Sequence, residues 1–148
     1  MLDESKLEFI QIPYNREIIT DLEELRADAF GKIMEDVYNS TDEFLLKNLT
    51  GIMTTYEKKP IAGCYVSSHA PTLYVPYLFV KPDFQRKKYY IGKKTLLETL
   101  KRKNDFEKYY HEEFDTVEMI AKNKQLQELY LSWGFSAPYK TLLVRKKL

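Results

Sequence analysis

The chain has 148 residues and a formal net charge of +1, with 44% hydrophobic and 30% charged residues. These proportions exclude a disordered chain, and the length suits one core, so a single domain over residues 1–148 is expected. A lone cysteine, Cys64, excludes an internal disulfide and a thiol-built zinc site.

In chain order, Phe9 to Ile12 alternates apolar and polar residues and reads as a first strand. Ile18, Leu22, Leu25 and Ala29 recur at helical spacing, with Gly31 as a stop. Ser40-Thr41-Asp42-Glu43 has the form of a capping box, predicting a second helix that carries Phe44, Leu45 and Leu49 to Gly51. Ile52 to Tyr56 and Ile61 to Ser68 follow as strands joined by Glu57-Lys58-Lys59-Pro60. Leu73 to Val80 is a further strand, with a bulge or splayed edge expected at Pro76, which cannot donate to a ladder.

A third helix is predicted from Ile91 to Lys103, with Leu96, Leu97 and Leu100 inward. Tyr109 to Glu113 reads as a polar, aromatic loop, Thr116 to Ala121 as a strand, and Lys124 to Trp133 as a helix stopped by Gly134. Tyr139 to Arg145 is the last expected strand. The order β-α-α-β-β-β-α-β-α-β predicts a mixed α/β (α+β) sheet covered by helices.

Charge is unevenly spread. Asp3 to Glu43 holds twelve acidic residues against four basic, whereas Lys81 to Lys103 holds nine basic against two acidic. Such segregation suits one cationic and one anionic ligand, and it equally describes two solvated faces. His69 and His111 fit no metal-ligand spacing, so no metal is expected. No apolar run nears the ~20 residues that span a bilayer, and the start of the chain lacks a basic-then-apolar leader. The expectation is a cytoplasmic protein without a membrane partner.

Two segments carry chemistry. One runs Leu78-Phe79-Val80-Lys81-Pro82-Asp83-Phe84, then a basic stretch, then Ile91-Gly92 opening a helix. The other is Asn123 to Phe135, in which Asn123 is a good N-cap, Tyr130 lies two helical turns on, and Gly134 is the stop. A capped amphipathic helix with a core tyrosine would explain the second segment alone. Together with the element order, both segments resemble the Gcn5-related N-acetyltransferase (GNAT) family. The resemblance covers nearly the whole chain and implies that family's fold, a mostly antiparallel sheet flanked by helices.

It also implies acetyl-CoA as cofactor and a small-molecule or peptide amine as acceptor. The family's loop after the Val-x-Pro strand, Gln/Arg-x-x-Gly-x-Gly/Ala, cradles pyrophosphate on backbone N–H groups at a helix N-terminus. Aligned on Gly92, this chain has Lys87 in the Gln/Arg position and Tyr90 in place of the first glycine. Aligned on Gln85, Lys88 and Tyr90 replace both glycines. Tyr90 must therefore take a conformation compatible with the cradle, with Arg86, Lys87, Lys88, Lys93 and Lys94 compensating by charge.

The implied cofactor contacts are Phe79, Val80, Lys87, Lys88, Tyr89, Tyr90, Ile91, Gly92, Lys93 and Asn123. By the same resemblance, Val80 N–H stabilises the oxyanion and Tyr130 protonates the thiolate. No base is assigned; Glu57, His69 and Glu113 are distant candidates. Acidic Asp28, Glu35 and Asp36 would border a cationic acceptor.

The alternative reading is a non-catalytic acyl-CoA sensor with a degenerate phosphate loop. Nucleic-acid binding through the basic cluster ranks third, since the sequence pI is about 7.7 against roughly 9 or more for dedicated binders. Dimers are common in the family, and exposed tyrosines would permit one.

Overall fold

The computed structural model describes residues 2–12, 21–26, 50–85 and 89–148. Among the described residues six strands follow one another: β1 Leu7–Gln11, β2 Thr50–Tyr56, β3 Lys59–His69, β4 Thr72–Val80, β5 Thr116–Ile120 and β6 Leu143–Lys147. They form one sheet in the order β1-β2-β3-β4-β5-β6. Its helices are α1 Ile91–Lys101, α2 Lys103–Tyr110 and α3 Lys124–Ser132. Residues 21–26 are also helical, with Leu22 and Leu25 buried. There Glu23 and Arg26, both almost fully buried, form an i,i+3 ion pair. The predicted second helix at 40–49 lies outside the described residues. Its expected end, Gly51, instead belongs to β2.

The chain forms two compact units, Met1–Tyr65 with Leu78–Thr99, and Val66–Tyr77 with Leu100–Leu148. In the first, β1 pairs antiparallel with β2, Leu7 opposite Tyr56 and Gln11 opposite Ile52. The β2–β3 link is shorter than the four residues expected. Only Glu57 and Lys58 turn, at φ +52° and +68°, the positive angles that a two-residue hairpin favours. Helix α1 buries Ile91, Thr95, Leu96 and Thr99. Leu97, expected inward, is 39% exposed, because the inward stripe follows 91, 95 and 99 at 3.6 residues per turn.

A hydroxyl pair fixes α1 on β2. Thr95 Oγ1 donates its only proton to Ile91 O at 2.8 Å, so Thr54 Oγ1, 2.6 Å away, is the donor to Thr95 Oγ1. Gly63 admits the ring of Phe79, since a Cβ on it would lie 2.4 Å from that ring. Cys64 beside it is fully buried, and burial pushes its thiol up to about 12. It is a small core residue.

In the second unit β4 pairs parallel with β5, Thr72 to Val75 against Thr116 to Met119. That register stops at the residue before Pro76, where the ring removes a donor. Antiparallel β6 completes this part, Thr116 opposite Lys147 and Ile120 opposite Leu143. The last strand begins at Leu143 rather than Tyr139. Residues 139–142 are bends, and Ser136 bridges to Arg145 on the outer edge of β6.

Tyr109 and Tyr110, read as loop, close helix α2. Its hydrophobic anchor is Phe106, fully buried and stabilising by roughly 2–3 kcal/mol. Tyr110 donates to Val66 O at 3.0 Å, and His111 ends the helix at φ +55°.

Candidate functional site

The first unit carries the strand end and the phosphate-loop candidate. Lys81 N–H donates to Ile61 O on β3 at 2.7 Å. Successive residues of a strand send their backbone groups to opposite sides, so Val80's N–H and C=O point away from β3. The carbonyl takes a hydrogen bond from Gln85 Nε2 at 2.7 Å, which ties down the 3-10 turn Pro82–Phe84. Val80 N–H lies on that same outward side, as a donor to a group beyond the strand must. Phe79 offers backbone alone, because its ring is buried against Gly63 and edge-on to Tyr65 at 5.1 Å.

After this turn, Lys87 and Lys88, with Arg86, lie outside the described residues. The chain re-enters at Tyr89, whose half-buried ring packs with Val80 and Phe84 on the cluster Ile61, Ala62 and Ile91. Tyr90 follows at φ +51° and is 57% exposed. The residue in the glycine position thus adopts a glycine-like backbone, at a cost of roughly 1–2 kcal/mol for a residue with a Cβ. Its carbonyl accepts from Lys94 N–H at 2.9 Å, the first bond of α1. Ile91, Gly92 and Lys93 then form the first turn, where N–H groups have no intrahelical partner and the helix dipole favours an anion. Ile91's side chain is core, while Lys93 is half-buried. Lys94, expected to compensate by charge, is ion-paired with Glu4.

The second unit carries the other half of the signature. Asn123 has extended backbone, and its Oδ1 accepts from Leu126 N–H at 2.9 Å. Gln127 Nε2 donates to Thr141 O at 2.8 Å and anchors α3 to the bends before β6. Tyr130 is 6% exposed, its ring between Trp133 at 5.3 Å and Phe135 at 6.4 Å. The helix closes with Gly134 at φ +97°. Gly134 N–H donates to Leu131 O at 3.1 Å and Phe135 N–H to Tyr130 O at 3.2 Å, the paired bonds of a Schellman stop. The closing turn holds Tyr130's backbone and ring together.

Each unit therefore assembles its own part of the expected set: Val80, Tyr89, Tyr90 and Ile91 in one, Asn123 and Tyr130 in the other. Asp28, Glu35 and Asp36 lie outside the described residues. Of the distant base candidates, Glu57 is in the β2–β3 turn, ion-paired with Lys6. His69 ends β3 against the ring of Tyr74. Sequence reasoning missed two residues: Gln85 as the brace on Val80, and Glu118, half-buried on β5. The alternation of β5, with Val117 and Met119 buried, was the available signal for Glu118.

Among the described residues no cluster of three or more His, Cys, Asp or Glu could hold a metal, and no helix is long and apolar enough to cross a membrane.

No protein-family model matches the sequence, and no curated protein matches it. Solved structures do match. The PaiA N-acetyltransferase of Thermoplasma acidophilum, in complex with coenzyme A, is 15% identical with a TM-score of 0.65 over 96% of this chain and 99% of its own. A GNAT-family acetyltransferase of Elizabethkingia anophelis with acetyl-CoA bound is 19% identical, TM-score 0.65, over 97% and 99%. The ribosomal-protein-S18-alanine N-acetyltransferase of Escherichia coli is 15% identical, TM-score 0.66, over 95% and 94%. The chain has the fold of the Gcn5-related N-acetyltransferases.

Proposed function

We propose that this protein is an acetyl-CoA-dependent N-acetyltransferase that moves an acetyl group to a primary amine by direct attack. The observation that carries the reading is Tyr90 at φ +51° directly before α1. A tyrosine with left-handed backbone at the position where the resemblance has a glycine supports a phosphate cradle at the start of α1. Strained backbone of this kind persists where surrounding structure enforces it.

In this reading Ile91, Gly92 and Lys93 offer backbone N–H groups to the pyrophosphate, with Lys87 and Lys88 adding charge. Val80 N–H, aimed away from β3, stabilises the oxyanion that forms as the amine nitrogen bonds to the thioester carbon. The attacking nitrogen loses its proton to water, and when the C–S bond breaks Tyr130 O–H gives its proton to the departing thiolate and regains one from solvent. Asn123 spends Oδ1 on the helix cap, so a contact to the pantetheine arm falls to its amide nitrogen. Two of the matched proteins are named as bound to coenzyme A or acetyl-CoA, which favours the same cofactor here.

The test is release of free coenzyme A from acetyl-CoA, measured with and without a panel of primary amines. Amine-dependent release supports a transferase. Saturable acetyl-CoA binding with no release for any amine favours the sensor reading instead.

A further inference from the structure

Within the first unit, a chain of hydroxyl groups crosses from the sheet into the start of α1. Thr54 on β2 and Thr95 and Thr99 on α1 are all fully buried. A buried hydroxyl costs stability unless it is hydrogen-bonded, and valine would fill the same space without one. The hydroxyls are therefore features to be explained.

Thr95 and Thr99 repeat one local arrangement, a helical turn apart. Thr95 Oγ1 donates to Ile91 O and Thr99 Oγ1 to Thr95 O, each at 2.8 Å. Such i to i−4 bonds are ordinary for threonine inside a helix. The two differ in what reaches them from the sheet. Thr95 meets the hydroxyl of Thr54 at 2.6 Å, whereas Thr99 meets the thiol of Cys64, a much weaker hydrogen-bonding group.

The direction of the chain is fixed. Thr95 gives its one proton to Ile91 O, so Thr54 is the donor to Thr95. Hydrogen bonds in series polarise one another. This series ends on the carbonyl of Ile91, which as a helical residue also accepts from Thr95 N–H. That carbonyl and the N–H of Gly92 belong to one planar peptide unit and point in opposite directions. Electron density drawn toward Ile91 O makes Gly92 N–H a stronger donor. Gly92 lies in the first turn of α1, where an N–H has no intrahelical partner.

We infer that Thr54 is a positioning residue for the phosphate site. Through Thr95 it fixes the Ile91–Gly92 peptide and strengthens Gly92 N–H as a donor to an anion, while being buried and touching no ligand itself. Assigning that anion to the pyrophosphate of coenzyme A rests on the acetyltransferase reading.

Sodium pyrophosphate and acetyl-CoA are titrated separately into the isotopically labelled full-length chain, with the Gly92 amide followed by NMR. Saturable movement of that amide is expected with both. Thr54→Val should weaken both about two- to fourfold, the share that polarisation adds to a charge-assisted bond, and should move the Gly92 amide nitrogen upfield in the free protein. Thr54→Ser keeps the hydroxyl and should restore both readings. Thr99→Val removes the matching bond one turn farther on; it should lower the melting temperature and leave both affinities as they were. If Thr54→Val does not fold, Thr95→Val reads the same chain from the helix side. A folded Thr54→Val with wild-type affinities and an unmoved Gly92 amide would overturn the inference and leave the phosphate site standing. Equal loss of affinity in Thr54→Val and Thr99→Val, the result of a purely structural role, would overturn it too. Pyrophosphate binding that responds to Thr54→Val, without acetyl-CoA binding, would keep the inference and remove the acetyltransferase reading. A wild-type protein that binds neither ligand would remove both.

Discussion

Gly134 ends α3 at φ +97°, and Tyr90 precedes α1 at φ +51°. Both are helix boundaries that need left-handed backbone, yet one uses the residue that adopts it freely and the other a bulky aromatic. Around Gly134 everything else agrees, from the Asn123 cap to the two Schellman bonds. Around Tyr90 the support comes from neighbours: Tyr89 packed on the Ile61, Ala62 and Ile91 cluster, and Lys94 paired with Glu4. The end of α3 is encoded locally, whereas the start of α1 is imposed by packing on either side of it.

The largest expected effect is catalytic. Tyr130→Phe keeps the ring between Trp133 and Phe135 but removes the hydroxyl proposed as proton donor. It should lower kcat by about 10²–10⁴ with acetyl-CoA affinity unchanged, as read by steady-state kinetics beside calorimetry. An equal loss of affinity would make Tyr130 a binding residue instead of an acid.

Next come two substitutions of opposite sign. Gly134→Ala places a Cβ at φ +97° and should destabilise by about 1–2 kcal/mol. Tyr90→Gly releases the strain and should stabilise by about 0.5–1 kcal/mol. Chemical denaturation measures both. If Tyr90→Gly destabilises, the ring contributes more than its exposure suggests, and the contrast between the two helix ends falls.

A smaller effect belongs to α2. Burial, then Tyr109, pushes the Tyr110 hydroxyl up to about 12, against about 10 in an unfolded chain. The folded state therefore holds this proton more tightly. The associated stability is complete below pH ~10 and is lost as pH rises toward 12. Tyr110→Phe should flatten that decline in melting temperature. Cys64 also titrates in this range but is present in both proteins, so the difference between them reports Tyr110.

The strands and α3 were legible in the sequence because apolar alternation, an N-cap and a glycine stop are all local signals. Helix α2 was not, since KNDFEKYY buries one residue, Phe106, and so shows no apolar period. Leu97 was misplaced because three leucines within five residues cannot all share a helix face with Ile91 and Thr95. The left-handed Tyr90 was legible only as a requirement of the family pattern. Gln85 on Val80 O and Glu118 beside Tyr74 and Arg145 were hidden: the first depends on a turn geometry, the second on registers between strands far apart in sequence.

The phosphate cradle proposed at the start of α1 has Tyr90 where the family pattern has a glycine. Calorimetric titration with acetyl-CoA at low and moderate salt tests it most directly. Saturable binding that weakens with salt and with Lys87→Ala or Lys88→Ala is expected. A folded protein that shows no acetyl-CoA binding at either salt concentration would contradict it.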